Sequence, residues 1–315
     1  LVAGGLKAVS AGNIGRPLSA VALDDDPPDW LAVELSSFQL HDMPGLAPTA
    51  GTLTNLSPDH LDRYATLADY YADKAQLFRN ATDASIWITN GDDPDVQHMA
   101  APVAGVHRCF STTRVADGWY DRRGQALMLG RDTLLPRREL MLLGDHNVAN
   151  ALAAAMAARV AGVGLAALAD GLRTFRALPH RLEPVREVGG VLWINDSKAT
   201  NIASTEVALS ALDRPYVLLL GGRHKGEAYT RLAPRAAARC RAVVGHGEPA
   251  PLVQADLGGS VRLVGAGDFA DVLSTAGSLA QPGDAVLLSP ACSSYDMFRN
   301  YEERGARFRT AVESL

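Results

Sequence analysis

Between Val191 and Ser294 the sequence returns repeatedly to a short apolar run closed by glycine or small polar residues: VLWIND, YVLLLGG, RAVVGHG, VRLVG and AVLLSPACSS. No other feature constrains the fold as much. Runs without polar alternation predict strands covered on both faces, and helical segments from about Ile202, Tyr229 and Asp268 lie between them to do the covering. The result is an α/β architecture with parallel-rich sheets and helices on both faces. In such sheets ligands sit beyond the carboxyl ends of the strands. That is where the sequence puts its densest chemistry, in WINDSKATN (residues 193–201).

The first half carries the same rhythm less regularly. WLAVELSS (30–37), TAGTLTNLS (49–57), SIWITNGDDP and VAGVHRCFS read as strands running into turns. The spacing of Leu67, Tyr70, Tyr71, Leu77 and Phe78 predicts a helix over 64–81. Residues 117–135 read as a glycine-punctuated hairpin region. GDHNVANALAAAMAARVAGV (144–163) predicts a helix capped by Asp145. Proline and short polar residues interrupt the pattern at RALPHRLEPV (176–185), which places a domain boundary between 178 and 179. The predicted domains are therefore 1–178 and 179–315, the second ending in a helix over 295–315.

Composition narrows the class. A chain of 315 residues can build two domains, and 47% hydrophobic with 21% charged residues is ordinary for a globular protein. A net charge of −5 gives no basic surface to hold nucleic acid. No apolar run has the length of a membrane span and no secretory signal opens the chain, so no membrane partner is expected. Three scattered cysteines, Cys109, Cys240 and Cys292, fit a reducing cytoplasm. A monomer is expected. The chain opens at Leu1 in mid-pattern, which reads as a truncated N-terminus. Only Lys7, Lys74, Lys198 and Lys225 of its 30 basic residues are lysine. Where arginine dominates, a retained lysine suggests that a compact or titratable amine is needed.

Several strand ends and helix starts offer chemistry, each with a plainer alternative. Glu34, with Ser36, Ser37 and Gln39, suits a magnesium ligand or simply closes a strand. Asn55, Asp59, His60 and Asp62 share a loop that either meets a metal or caps a helix. Lys74 on its helix is a used amine or a solvated charge. Asn147 and Asn150, one turn apart, read a nucleobase edge or cap a helix. Arg181 reaches a phosphate or forms a salt bridge. Gly221 and Gly222 allow close approach of a ligand before Lys225. Ser293 and Ser294 are placed at a helix N-terminus, either to hold a carboxylate or to act as an ordinary cap.

Taken in order, GNIGRPL, ELSSFQL, NLSPDHLDRY, GDHNxxNALAA, PHRLE, NDSKATN, LLGGxxKG and LLSPACSSYDMFxNYxxRGxxF resemble the Mur ligase family over nearly the whole chain. NDSKATN is the most discriminating part. The family's P-loop, G-x-x-x-x-G-K-[ST], is absent from the sequence. The resemblance implies a P-loop-type central ATPase domain lacking its P-loop, followed by a Rossmann-like C-terminal domain. It implies an ATP-dependent amide-forming ligase of peptidoglycan synthesis that joins D-glutamate to UDP-N-acetylmuramoyl-L-alanine through an acyl phosphate. The chain by itself would then be inactive.

The resemblance also implies roles. Glu34, His60 and a carbamate formed on Lys74 by carbon dioxide would hold two magnesium ions. Asn13, Ser36 and His60 would line the muramoyl-alanine end. Asn147 and Asn150 would face adenine, Arg181 the phosphates and Asp196 the ribose. Lys198 would neutralise the transferring phosphoryl group. Thr200, Lys225, Ser294 and the backbone of Tyr301, where close relatives have phenylalanine, would receive glutamate. The domains would close about a hinge at Pro179 to Arg181. The alternatives are a related ligase adding L-glutamate or another amino acid, a non-catalytic fragment, and, on architecture alone, a nicotinamide-dependent dehydrogenase.

Overall fold

The computed structural model describes residues 1–58, 63–224, 226–247 and 250–315. The chain divides into two compact units. One comprises Leu1–Met141 and Asp145–Phe175, the other Leu142–Gly144 and Arg176–Leu315. The main change of unit therefore falls at Phe175/Arg176, beside the 178/179 junction placed from sequence.

The first unit opens with β1 (Ala8–Gly12), α1 (Leu18–Val21) and β2 (Trp30–Glu34). These two strands pair in parallel as a two-stranded sheet of their own, from Ala8 opposite Trp30 to Gly12 opposite Glu34. The run at residues 30–37 is thus strand as far as Glu34 and turns off beyond it, because Ser36 caps α2 (Ser37–His41). Its hydroxyl accepts from Gln39 N while the Gln39 side chain accepts from Ser36 N, a reciprocal cap that ends the strand.

The main sheet follows: β3 (Ala50–Leu53), α3 (Leu67–Ala75), β4 (Ile86–Asn90), α4 (Pro94–Ala100), β5 (Val106–Ser111), β6 (Gly118–Asp121), β7 (Ala126–Leu129) and β8 (Asp132–Pro136). The strands lie in chain order. β3 to β6 are parallel, and β7 and β8 turn back antiparallel in the hairpin region read from the glycines. α3 is shorter than the predicted helix. Thr66 and Asp69 form its capping box, and after Ala75 the chain tightens into a single 3-10 turn, Gln76–Phe78. α5 (Asp145–Val160) buries residues on most of its circumference, which alanine allows, and packs across the sheet. It begins at Asp145 itself, so this residue is in the first turn and not the cap. Its carboxylate takes a hydrogen bond from Arg122 Nη2 at 2.5 Å. α6 (Leu165–Thr174) closes the unit.

The second unit contains β9 (Glu183–Val188), β10 (Val191–Asn195), α7 (Ile202–Ala211), β11 (Tyr216–Gly222), α8 (Ala233–Arg239), β12 (Cys240–Gly247), α9 (Ala250–Leu257), β13 (Leu263–Gly265), α10 (Phe269–Leu279), β14 (Ala285–Leu288) and α11 (Tyr301–Glu313). The sheet order is β13-β12-β11-β14-β10-β9, parallel except for β9. β14 lies between β10 and β11, so the direction of winding reverses there. The apolar runs divide their side chains between two faces as a two-residue period demands. Ile194, Leu218, Leu220, Val243 and Leu287 pack with Ile202, Leu209, Val253 and Leu257 of α7 and α9. Their neighbours Trp193, Val217, Leu219, Val244 and Leu288 pack with Val272, Ala276, Phe308 and Val312 of α10 and α11. Both faces are covered, as the unalternated runs require.

Candidate active site

In the second unit, the carboxyl ends of β10, β11 and β14 converge at the switch point of the sheet. The loop after β10 is pinned on several sides. Asp196 N donates to Leu288 O at 2.8 Å, Lys198 N to His180 O at 3.1 Å, and Ala291 N to Ala199 O at 3.0 Å. Asn201 caps α7 through Ser204 N at 2.8 Å. Lys198 is thereby held half-buried, with Nζ 5.5 Å from the centre of the Tyr301 ring. The same ring packs nearly perpendicular to the His180 ring, with 6.0 Å between ring centres. Burial, with Arg309 near, pushes the His180 imidazole below its ordinary value, so it is a neutral neighbour at pH 7.

Asp196 is buried, and both oxygens are engaged. Leu182 N donates to Oδ1 at 3.0 Å and Ser289 Oγ to Oδ2 at 2.8 Å. Burial outweighs these donors and the nearby Arg181, and its carboxyl is pushed up to about 7. Arg181 is exposed. Thr200 N donates to Lys198 O at 2.9 Å.

At the end of β11, Gly222 has φ 136°, and a Cβ there would lie 2.1 Å from Ser293 O, so only glycine lets the two strand ends touch. Arg223 and Ser293 exchange both backbone hydrogen bonds across this gap, at 2.8 and 3.2 Å. Ser294 is buried in the following turn, where its carbonyl accepts from Met297 N and Phe298 N. The structure overturns the placing of Ser293 and Ser294 at a helix N-terminus. α11 starts only at Tyr301, capped by Asn300 through Glu303 N at 2.8 Å.

In the first unit, β1 and β2 bring Asn13 and Glu34 together. Asn13 Nδ2 donates to Glu34 Oε1 at 3.2 Å and Asn13 N to Glu34 O at 2.8 Å. Glu34 is an exposed hard carboxylate at a strand end, and that donor type fits a magnesium ion. Ser36 serves as the α2 cap described above. Lys74 is half-buried in the last turn of α3, with Nζ 5.3 Å from the Tyr70 ring centre. Next to it, Asp73 accepts from Tyr64 OH at 2.9 Å and pairs with His41 Nδ1 at 2.7 Å. On α5, Asn150 Nδ2 donates to Asn147 Oδ1 at 3.4 Å, so the two amides share a face. Asp59, His60, Asp62 and Lys225 lie outside the described residues. Among the described residues no three His, Cys, Asp or Glu side chains gather to hold a metal ion. No helix among them is long and apolar enough to cross a membrane.

Sequence reasoning passed over the residues that brace Lys198. Glu183 Oε2 accepts from His180 N at 3.0 Å and Asn195 Nδ2 at 3.1 Å, and Glu183 Oε1 pairs with Arg309. Arg304 is fully buried beneath the loop. Its signal was present in the RG of YEERG, but a charge on a terminal helix ordinarily reads as solvated.

Comparison with known proteins decides the family. Residues 10–158 match the Mur ligase middle domain, and residues 180–292 match the Mur ligase, glutamate ligase domain. Over 99% of its length the chain is 44% identical to the UDP-N-acetylmuramoylalanine–D-glutamate ligase of Salinibacter ruber, of which it covers 70%. It is 41% identical over 96% of its length to the enzyme of the same name from Acidobacterium capsulatum, covering 67% of that protein. The chain belongs to the Mur ligase family. Among solved structures this Mur ligase chain resembles the MurF ligase of Thermotoga maritima in complex with ADP. The TM-score is 0.70 at 18% identity, covering all of this chain and 76% of that one. MurC of Thermotoga maritima gives a TM-score of 0.65 at 14% identity, over 99% and 76% of the two chains. At such identities the likeness is one of fold: two-domain α/β with parallel-rich sheets, as the apolar runs implied.

Proposed function

We propose that this Mur ligase acts in the ATP-dependent ligation of D-glutamate to UDP-N-acetylmuramoyl-L-alanine, in cytoplasmic synthesis of peptidoglycan precursors. The observation that carries the reading is Lys198 of NDSKATN, held against Tyr301 at the switch point of a parallel sheet, in a chain whose relatives carry that activity in their names.

The γ-phosphoryl group of ATP passes to the alanyl carboxylate, giving ADP and an acyl phosphate. The glutamate amine attacks the acyl carbon, the bond to the phosphate oxygen breaks, and phosphate and a proton leave. Charge neutralisation and positioning supply most of the catalysis. Lys198 neutralises the transferring group. Asn147 and Asn150 face adenine, Arg181 the phosphates and Asp196 the ribose. Asn13, Ser36 and His60 receive the muramoyl-alanine end, and Thr200, Lys225, Ser294 and the Tyr301 backbone receive glutamate. Glu34, His60 and Lys74 as its carbamate would hold magnesium, which supplies Lewis-acid neutralisation of phosphate oxygens when bound. The protein is proposed to act as a monomer.

The deciding experiment is phosphate release by the whole gene product with ATP, magnesium and UDP-N-acetylmuramoyl-L-alanine. The reading requires release that depends on D-glutamate and fails with L-glutamate. Release indifferent to D-glutamate overturns it.

A further inference from the structure

Arg304 sits in the first turns of α11 with no exposed surface. Among the described residues no carboxylate lies within ion-pair distance of it. Its donors are spent on two strand-end loops. Nε donates to Ser197 Oγ at 2.9 Å, Nη2 to Ser197 O at 2.8 Å and Cys292 O at 3.2 Å, and Nη1 to Cys292 O at 3.3 Å. The Ser197 hydroxyl, having accepted from Nε, donates its own proton to Tyr301 O at 2.8 Å. One guanidinium thus joins the loop that carries Lys198, the segment that leads into Ser293 and Ser294, and the start of the helix that carries Tyr301.

A buried cation whose acidic neighbour, Asp296, acts only from beyond ion-pair distance is an expensive way to stabilise a fold, since apolar residues of similar volume usually serve as well or better. What arginine provides and they do not is a rigid planar fork that fixes several acceptors at once. Burial pushes its guanidinium down to about 10, so it stays charged at neutral pH. We propose that Arg304 is a positioning residue for the acceptor amino acid: it sets the spacing of Ser294 and Tyr301, which receive the incoming carboxylates, relative to Lys198, which faces the transferring phosphoryl group. This rests on the ligase reading above and names no contact of Arg304 with substrate.

The test has two readouts. The 315-residue chain holds only four lysines, so carbon-13 reductive methylation gives a small, assignable set of methyl-lysine signals. With Nζ 5.5 Å from the ring centre, the ring current of Tyr301 should displace that of Lys198. Arg304→Met and Arg304→Lys should each collapse this displacement. In the whole gene product they should raise KM for D-glutamate about tenfold or more while KM for ATP moves by less than about twofold, a split that general loss of structure does not produce. Lysine keeps the charge but cannot span the acceptors, so wild-type KM in Arg304→Lys would overturn the proposal.

Ser197→Ala removes one hydroxyl and guards against variants that fail to fold. It should shift the Lys198 signal and raise the D-glutamate KM, as the Arg304 variants do, in a protein that still unfolds cooperatively although Arg304 Nε has lost its acceptor. An unmoved signal with an unchanged KM in that variant, or equal rises in both KM values, would overturn the role. If the native enzyme ignores D-glutamate, the functional reading fails, while the methyl-lysine signal still decides what Arg304 does.

Discussion

Asp196 Oδ2 accepts the Ser289 hydroxyl at 2.8 Å at the buried junction of β10 and β14. Burial raises this carboxyl from the ordinary 3.8 to about 7. The folded protein therefore keeps a proton that the unfolded chain gives up from about pH 4. Stability from this group is fully present below about pH 4 and is lost as pH rises through 7. Asp196→Asn removes the titration and keeps the bonds. The amide oxygen accepts from Leu182 N, the amide N–H donates to Ser289 Oγ, and that hydroxyl turns to Thr205 Oγ1, 3.1 Å away. Denaturant unfolding from pH 4.5 to 8 should show wild type losing about 2–4 kcal/mol relative to the variant. Parallel pH profiles for the two proteins would refute the assignment.

Gly305 lies against His180 so closely that a Cβ on it would sit 2.1 Å from His180 Nδ1. The His180 carbonyl accepts from Lys198 N, and its backbone holds φ 65°. Gly305→Ala should push the ring away and cost about 1–3 kcal/mol by overpacking. It should also lower kcat, because Lys198, which neutralises the transferring group, loses an anchor. Thermal unfolding and kcat measured together check this. A variant with unchanged stability would show that the contact relaxes freely.

The fold of the second unit was largely legible. The unalternated runs implied two covered faces, and Trp193 and Ile194, neighbours in sequence, do fall in opposite cores. The end of the chain misled, because Met297 and Phe298 extend an apolar spacing upstream of the true cap. Asn300, three residues before Glu303, was the better start signal. α9 was missed because Pro249 and Pro251 interrupt its pattern. Pairing of β1 with β2 apart from the main sheet is a tertiary choice that no local pattern records. Lys198 was legible as a lysine among arginines. The brace of Arg304, Glu183 and Asn195 was not, because burial of polar groups depends on what folds over them.

Tyr301 separates ring from hydroxyl. The backbone carbonyl accepts from Ser197, while the ring faces Lys198 and His180. Tyr301→Phe keeps ring and backbone and should leave kcat/KM within about twofold. Tyr301→Ala removes a cation–π contact of about 0.5–2 kcal/mol and should lower kcat/KM by about 2- to 30-fold. A large loss in the phenylalanine variant would instead assign the hydroxyl a direct role.

Lys74 tests the proposed carbamate. Arginine keeps the positive charge and can still face the Tyr70 ring, on which Lys74 now rests at 5.3 Å. A guanidinium stays protonated and does not readily take up carbon dioxide. If Lys74 acts only through its charge, Lys74→Arg should retain nearly full ligase activity. If it acts as an anionic oxygen ligand, the variant should fold normally and lose about 100-fold or more in kcat. The wild-type enzyme should then also lose activity in carbon-dioxide-depleted buffer and recover it on addition of bicarbonate. Full activity in the arginine variant, or indifference of the wild type to bicarbonate, would remove Lys74 from the chemistry.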